Sequence, residues 1–351
     1  SNLLKYRLFI IYINKLLVVI SYIYVFIVYF YFLEMKTSTQ RHSGVKSHKR
    51  QQVNTKSRRQ HMRHHNITNQ RRNTATQSVS TKDDSVVHVA SVMFDTTGNP
   101  LDVLHLQQHE IHNPKGKLPD TKVFARTLAS PINPADINLV EGTYGLPSNP
   151  PAIGGNEGLF EILATGPEST FKPGDWVIPV FPGYGTWRSH VLGDSVDFLK
   201  VPNNIAKPVD VATIMVNPCT AYRILEDFVE LKEGDFVVQN GANSSVGRAV
   251  IQLSKAAGYN TINIVRERET PEKTAELINE LTQLGADHVL TDTQLRDREF
   301  VKKYIQEKGL SSQKIAKLGI NCVGGTAMSD LTRWMEPSGV VVTYGGMSKK
   351  P

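Results

Sequence analysis

Two rhythms of apolar and polar positions divide the chain. Between residues 86 and 192, short apolar runs are separated by Gly and Pro clusters. Strands are predicted there at 86–94, 122–130, 159–164, 176–180 and 187–192. Pro131, Pro134, Pro147, Pro150, Pro151, Pro173-Gly174 and Pro182-Gly183 punctuate them, the pattern of a small, mostly β domain. One long helix is predicted over 209–228. From residue 235 the rhythm becomes strict alternation. Strands are predicted at 235–239, 261–265, 287–291, 315–322 and 339–344, with helices at 245–257, 272–284, 294–308 and 326–335 between them. Strand and helix in turn, with short joins, build a parallel sheet with helices on both faces. The boundary between the two domains falls near 205–235.

The first 82 residues follow neither rhythm. Leu8 to Leu33 is almost wholly Ile, Leu, Val, Phe and Tyr, broken by Asn14 and Lys15. That length suffices to span a bilayer as a helix, so one reading is a membrane anchor. The other is an untranslated leader carried into the sequence, since the first methionine is Met35 and the residues are those of AT-rich codons. Residues 35–82 hold no acid and are dominated by Arg, Lys, Ser, Thr, Gln, Asn and His. This is the composition of a mitochondrial presequence, and it predicts import into the matrix. His42, His48, His61, His64 and His65 belong to this polar tract, with no strand or helix to frame a metal site.

Charge sharpens the division. Residues 1–82 carry 15 Lys/Arg and one acid, Glu34, which leaves 25 basic and 32 acidic residues for the rest. The basic balance of the whole chain therefore sits in the extension. That argues against a nucleic-acid partner for the folded part, which would need a basic face of its own. Cys219 and Cys322 are the only cysteines, too few and too far apart for a disulfide scaffold or a Cys-based zinc site.

Candidate chemistry begins at Asn240-Gly241-Ala242-Asn243-Ser244-Ser245-Val246-Gly247, between a predicted strand and helix. A glycine turn there places main-chain N–H groups and the positive helix end at a phosphate. Its serines stand where such fingerprints often have glycine, and a turn of this kind also simply joins a strand to a helix. Arg266-Glu267-Arg268 follows the next strand. Arginine at that tip pairs with a 2′-phosphate, which points to NADP(H). Strand alternation would turn Arg266 and Arg268 one way and Glu267 the other. A solvated charge cluster is the alternative.

Gly154-Gly155-Asn156-Glu157-Gly158 resembles the Gly-His-Glu motif of the medium-chain dehydrogenase/reductase superfamily, with Asn156 where its zinc enzymes have a histidine ligand. Asn133-Pro134-Ala135-Asp136 also lacks their cysteine ligand. Both donors being replaced, no catalytic zinc is expected. Further stretches narrow the resemblance: Ser130 to Asn138, Glu141-Gly142-Thr143-Tyr144, Gly185-Thr186-Trp187-Arg188, Val216 to Tyr222, Asn321-Cys322-Val323-Gly324-Gly325 and Thr343-Tyr344-Gly345-Gly346-Met347. From about Val86 to the end, the chain is similar to the mitochondrial trans-2-enoyl-thioester reductases of fungi and animals.

The resemblance implies an α/β fold, with an N-terminal GroES-like, mostly β catalytic domain (83–205) and a Rossmann-type doubly wound parallel sheet (206–351) behind residues 1–34 and 35–82. It implies an NADPH-dependent oxidoreductase of mitochondrial fatty-acid synthesis. The enoyl thioester would be carried on acyl carrier protein or coenzyme A, and the full-length protein would be a homodimer. Residue by residue, Tyr144 matches the proton donor and Asn217 a contact near the nicotinamide. Asn243, Ser244, Ser245 and Val246 match the pyrophosphate loop, Arg266 and Arg268 the 2′-phosphate site, and Tyr344, Gly345, Gly346 and Met347 a loop along the cofactor. Trp187 and Tyr222 are expected to pack. The family continues beyond the position of Pro351, so the cofactor domain is expected to be C-terminally truncated, with an open sheet edge and reduced stability or activity. A zinc-free quinone reductase and a non-catalytic NADPH-binding protein are the competing readings.

Overall fold

Apolar alternation sets the first strand, β1 (Val86–Phe94), whose Val89, Ser91 and Phe94 are buried. The computed structural model describes residues 86–112, 118–145, 148–204 and 206–348. The apolar segment 8–33 and the basic segment 35–82 therefore lie outside the described residues. Among the described residues no helix is long and apolar enough to cross a membrane. A single helical turn, α1 (Pro100–Val103), leads into β2 (Leu104–His112), which runs antiparallel to β1 from Val86↔His112 to Phe94↔Leu104. Most β2 side chains are exposed, so it carries no apolar alternation for a sequence reading to detect.

Next come β3 (Lys122–Ala129), α2 (Pro134–Glu141), β4 (Ala152–Ile153), β5 (Leu159–Thr165), β6 (Trp176–Pro179), β7 (His190–Asp194) and β8 (Phe198–Val201). Antiparallel pairing gives a five-stranded sheet in the order β7-β3-β5-β6-β8, beside a smaller sheet β2-β1-β4. Val123, Ala125, Phe160, Ile162, Val177, Val191 and Phe198 form its core. Helix α2 was missed because Pro131 and Pro134 read as loop punctuation. Pro134 in fact opens the helix, where its absent N–H costs nothing, and Gly142 closes it at φ 72°. The strand predicted at 187–192 begins only at His190. Trp187 instead donates its N–H to Gly154 O (2.9 Å), and Arg188 bridges to Ser91 of the smaller sheet.

The predicted helix 209–228 is two helices, α3 (Pro208–Ala212) and α4 (Asn217–Asp227). The break at 213–216 has a specific cause: the Val216 N–H is donated to the Glu157 carboxylate (2.8 Å) instead of continuing a helical ladder. Helix α3 packs on the antiparallel sheet through Val211 and Ala212.

The second domain holds β9 (Phe236–Asn240), α5 (Ser245–Ala257), β10 (Asn260–Val265), α6 (Pro271–Leu284), β11 (His288–Thr291), α7 (Asp292–Arg296), α8 (Arg298–Glu307), β12 (Ala316–Asn321), α9 (Thr326–Thr332) and β13 (Met335–Thr343). All strand pairs are parallel, in the order β11-β10-β9-β12-β13. Val238, Ile262, Ile264 and Leu290 turn one face toward Leu295, Val301 and Trp334. Val237, Leu318 and Ile320 turn the other toward α4 and α5, at Ala221, Ile224, Val246 and Val250. Helices thus cover both faces. The predicted helix 294–308 is split by Asp297, whose Oδ1 accepts the N–H groups of Glu299 (3.0 Å) and Phe300 (3.1 Å) and so caps α8. The helix predicted over 326–335 stops at Thr332, and Met335 already pairs with Ala316 in the sheet.

Candidate active site and cofactor cleft

Neighbours of β9 lie on opposite sides in chain order, β10 on one and β12 on the other. The ends of these strands are therefore the switch point where ligands settle on sheets of this kind. The turn from β9 into α5 sits there. Gly241 has φ 60°, and a Cβ on it would lie 2.5 Å from Cys322 Sγ. A Cβ on Gly247 would lie 2.6 Å from Ala242 O. Both glycines are therefore required by the packing of the turn itself.

The four residues predicted to hold a pyrophosphate contribute differently. Ser244 is the N-cap of α5 and its Oγ accepts the Gly247 N–H (3.1 Å). Ser245 is exposed, whereas the Val246 side chain is buried, so Val246 can offer only its main chain. The N–H groups of Asn243, Ser245 and Val246 have no acceptor among the described residues. The Asn243 carbonyl is held by Arg248 Nε (3.1 Å), whose guanidinium also makes a two-pronged pair with Glu280 (2.6 and 2.9 Å).

The loop after β13 returns to this turn. Tyr344 sets its hydroxyl beside Ser244 and Cys322, and burial holds that hydroxyl well above the usual tyrosine range. Met347 N–H reaches Cys322 O (3.0 Å), while the Met347 side chain is exposed. Gly345 lies against Cys322 and Gly346 has open space around it. Underneath, Asn240 Nδ2 donates to Asn321 Oδ1 (2.7 Å), and Cys322 N–H donates to Asn240 Oδ1 (2.8 Å). Neutral carboxamides thus tie the tips of β9 and β12 together.

Arg266 and Arg268 follow β10, as expected, but strand alternation does not sort them. The strand ends at Val265, and all three charged residues lie in the connection to α6. Main-chain bonds shape that connection: Glu267 N–H to Asp292 Oδ1 (3.0 Å) and Arg268 N–H to Thr274 Oγ1 (3.0 Å). Neither arginine side chain has an acidic partner among the described residues. Two guanidinium groups without an acidic partner, just past the strand next to a turn with open N–H groups, fit a 2′-phosphate.

The other domain supplies Tyr144. The N–H groups of Thr143 and Tyr144 both reach Asn138 O (2.9 and 3.1 Å), which fixes the segment after α2. Burial first, then the Asp136 charge, raises the pKa of the Tyr144 hydroxyl. Asp136, 1% exposed, accepts from Asn133 N–H (2.6 Å), Asn156 N–H (2.8 Å) and Asn156 Nδ2 (2.6 Å). Asn156 Oδ1 accepts from Gly183 N–H (2.8 Å). Its carboxamide is therefore held from both its nitrogen and its oxygen by the protein frame. Glu157 Oε1 accepts from Asn133 Nδ2 (2.8 Å) and Oε2 from Val216 N–H (2.8 Å). Burial pushes the Glu157 carboxyl up to about 7. Asn133 Oδ1 in turn accepts from Asn217 Nδ2 (2.9 Å) at the start of α4. Burial and the Glu157 charge push the neighbouring Cys219 thiol up to about 12, which makes it a poor nucleophile.

Asn243–Val246 and Tyr344–Met347 are thus assembled at one end of the cleft, with Arg266 and Arg268 at the neighbouring strand tip. The segment carrying Tyr144 is joined to Asn217 at the other end, and α4 packs on α5 between them. Trp187 packs as expected, filling the space over Gly154 and Gly155 with its Nε1 on Pro131 O (3.0 Å). Asn133, Asp136 and Glu157 had no role assigned from the sequence. Their one local signal was Asp136 three residues after the helix-capping Asn133.

Residues 119–203 match the alcohol dehydrogenase GroES-like domain. The chain is 43% identical over 265 residues to the mitochondrial enoyl-acyl-carrier-protein reductase of Rattus norvegicus, covering 75% of this chain and 67% of that protein. It is 44% identical over 269 residues to the enzyme of the same name from Yarrowia lipolytica, covering 74% and 67%. Among solved structures, the complex of Etr1p with NADP and crotonyl-CoA superposes with a TM-score of 0.68 at 37% identity, covering 76% of this chain and 77% of that one. The Etr1p/Etr2p heterodimer of the mitochondrial 2-enoyl thioester reductase from Candida tropicalis matches with a TM-score of 0.68 as well.

Proposed function

This chain belongs to the mitochondrial enoyl-acyl-carrier-protein reductase family, and we propose that it reduces trans-2-enoyl thioesters to acyl thioesters with NADPH inside mitochondria. The relative solved with NADP and crotonyl-CoA supports both the cofactor and the substrate class. The observation that carries the reading is the pairing of two features. A glycine turn with unmet N–H groups and two unpaired arginines stands at one end of the cleft, and a protonated tyrosine is joined to the other.

NADPH, when bound, supplies the hydride that reaches the β-carbon of the enoyl thioester. Asn243, Ser245 and Val246 offer main-chain donors to its pyrophosphate, aided by the positive end of α5. Arg266 and Arg268 take its 2′-phosphate. The loop Tyr344–Met347 lies along it, and Asn217 meets its nicotinamide end. Tyr144 delivers a proton to the substrate α-carbon. Its raised pKa keeps the hydroxyl protonated throughout the neutral range, as a general acid requires. Asp136 and Asn156 hold the start of α2, the helix that leads into the segment bearing this tyrosine.

We propose acyl carrier protein as the physiological carrier and a homodimer as the assembly. The named activity of the curated relatives favours the first, and the Etr1p/Etr2p heterodimer of the Candida tropicalis relative supports a two-chain assembly, which two copies of this chain would form. The decisive experiment is Tyr144→Phe, assayed on crotonyl-CoA with NADPH and on a quinone in parallel. Loss of enoyl reduction with NADPH binding retained is expected. Near wild-type turnover, or quinone reduction exceeding enoyl reduction in the parent chain, would overturn the reading.

A further inference from the structure

We propose that Glu157 is a positioning residue that decides which face of the Asn217 carboxamide is offered to the cofactor. The inference rests on the reading of Asn217 as a contact to the nicotinamide end.

The argument is one of donors and acceptors. Above pH 7 the Glu157 carboxyl is predominantly ionised, and an ionised carboxylate can only accept. Glu157 Oε2 is engaged by the Val216 N–H (2.8 Å), so Oε1 is the oxygen that faces Asn133. It requires a donor there, and Asn133 meets it with Nδ2 (2.8 Å). That orientation leaves Asn133 Oδ1 on the opposite side, where it accepts Asn217 Nδ2 (2.9 Å). Asn217 is then left with its carbonyl oxygen, which has no partner among the described residues and is not among the buried unsatisfied atoms. A carboxamide reverses its polarity by a half-turn at almost no steric cost. Here one carboxylate fixes two of them in series. Its three members come from three places: the turn before β5, the N-cap of α2 and the first residue of α4. The relay therefore joins the domain that carries Tyr144 to the helix that carries Asn217, and it ends on an acceptor. The group it suits is a hydrogen-bond donor at the nicotinamide end, either the carboxamide N–H or a ribose hydroxyl.

Glu157→Gln tests this without cutting the network. A glutamine can accept the Val216 N–H and donate to Asn133 Oδ1, so every partner stays satisfied while both asparagines turn over. The variant is expected to fold with a thermal midpoint at or above that of the parent at pH 8, and to bind NADPH about 10-fold more weakly. Asn217→Asp in the parent chain sets an acceptor against Asn133 Oδ1 and weakens NADPH to a similar degree. Combined with Glu157→Gln, the same aspartate receives the turned Asn133 Nδ2 and again offers an acceptor. The double variant should return to within about threefold of parent affinity, measured by NADPH fluorescence. A purely structural role for Glu157 predicts additive losses instead, and that result overturns the relay. Parent-like binding by Glu157→Gln overturns it as well. Asn217→Ala separates the two layers. If it binds NADPH like the parent, the reading of Asn217 fails and the relay with it. If it weakens NADPH while Glu157→Gln does not, the relay alone fails. Repeating the titration with the reduced 3-acetylpyridine analogue, which lacks the amide N–H, locates the donor. A Glu157→Gln penalty that disappears assigns it to the carboxamide, and one that persists assigns it to the ribose.

Discussion

The two ends of the cleft are built from different materials. At the proposed phosphate end, the main chain would make the contacts. Gly241 and Gly247 allow a turn that no side chain would tolerate, and the supporting contacts between Asn240, Asn321 and Cys322 involve no ionisable carboxylate. At the proposed reaction end the framework is made of side chains, with the buried carboxyls of Asp136 and Glu157 within one network of amides. The first end has one arrangement and little sensitivity to pH. The second has polarity that can be reversed and a carboxyl that titrates near neutrality.

The most severe change belongs to the phosphate end. Gly247→Val places side-chain atoms where even a Cβ would sit 2.6 Å from Ala242 O, and the turn cannot yield without moving the strand end. NADPH binding should fall by at least about 100-fold in protein that remains folded by circular dichroism. Binding within fivefold of the parent would show that the main chain there is not the rigid element it is taken to be.

Next is the reaction end. Tyr144→Phe should reduce turnover of crotonyl-CoA by about 100- to 1000-fold and leave NADPH affinity within about twofold. Because burial and Asp136 raise the Tyr144 pKa, no alkaline loss of activity from this group should be seen below its ordinary value of 10.0. A fall in kcat centred between pH 7 and 9 that vanishes in Tyr144→Phe would contradict the assignment.

Glu157 distinguishes the ends through stability. Its folded-state pKa, about 7, lies above the ordinary 4.5, so the proton is held more tightly in the folded protein. Stability from this group is full below pH 4.5 and is lost as the pH rises through 7. Chemical denaturation should therefore find Glu157→Gln more stable than the parent at pH 8, by at most about 3 kcal/mol, with the gap closing toward pH 4.5. Asn240→Ala at the phosphate end should instead lose a pH-independent amount. Parallel pH profiles for the two variants would erase the contrast.

The smallest effect concerns the exposed rim. The double change Arg266→Ala with Arg268→Ala should weaken NADPH roughly 10- to 30-fold and NADH by less than about threefold, with a loss that shrinks at high salt. Equal losses for both cofactors would remove the arginines from the 2′-phosphate site.

The same contrast explains what the sequence reading could reach. The phosphate end is local, since its turn, the strand before it and the helix after it lie within residues 236–257, and helix 245–257 was placed to the residue. The parallel sheet was legible for a related reason: strands covered on both faces carry short apolar runs between helical patterns, such as Phe236 to Val238 and Val340 to Val342. The reaction end was not. Its bonds join residues 59 and 84 positions apart, and the residue types involved are ordinary polar ones. Even the break between α3 and α4 depends on a distant carboxylate. Strand alternation misled at Arg266–Arg268 because the strand stops one residue earlier, and β2 escaped notice because neither of its faces is apolar.

Asn156 also bears on which enzymes this fold could become. Its carboxamide donates to Asp136 and accepts from Gly183 N–H at once. A histidine in its place has one donor and one acceptor nitrogen, and a metal would claim the acceptor, leaving the Gly183 N–H without a partner. Asn156→His with a metal bound would therefore give up the protein contact to the Gly183 loop. The carboxamide thus works as a clasp between Asp136 and the Gly183 loop, and a metal ligand at this position would have to open it.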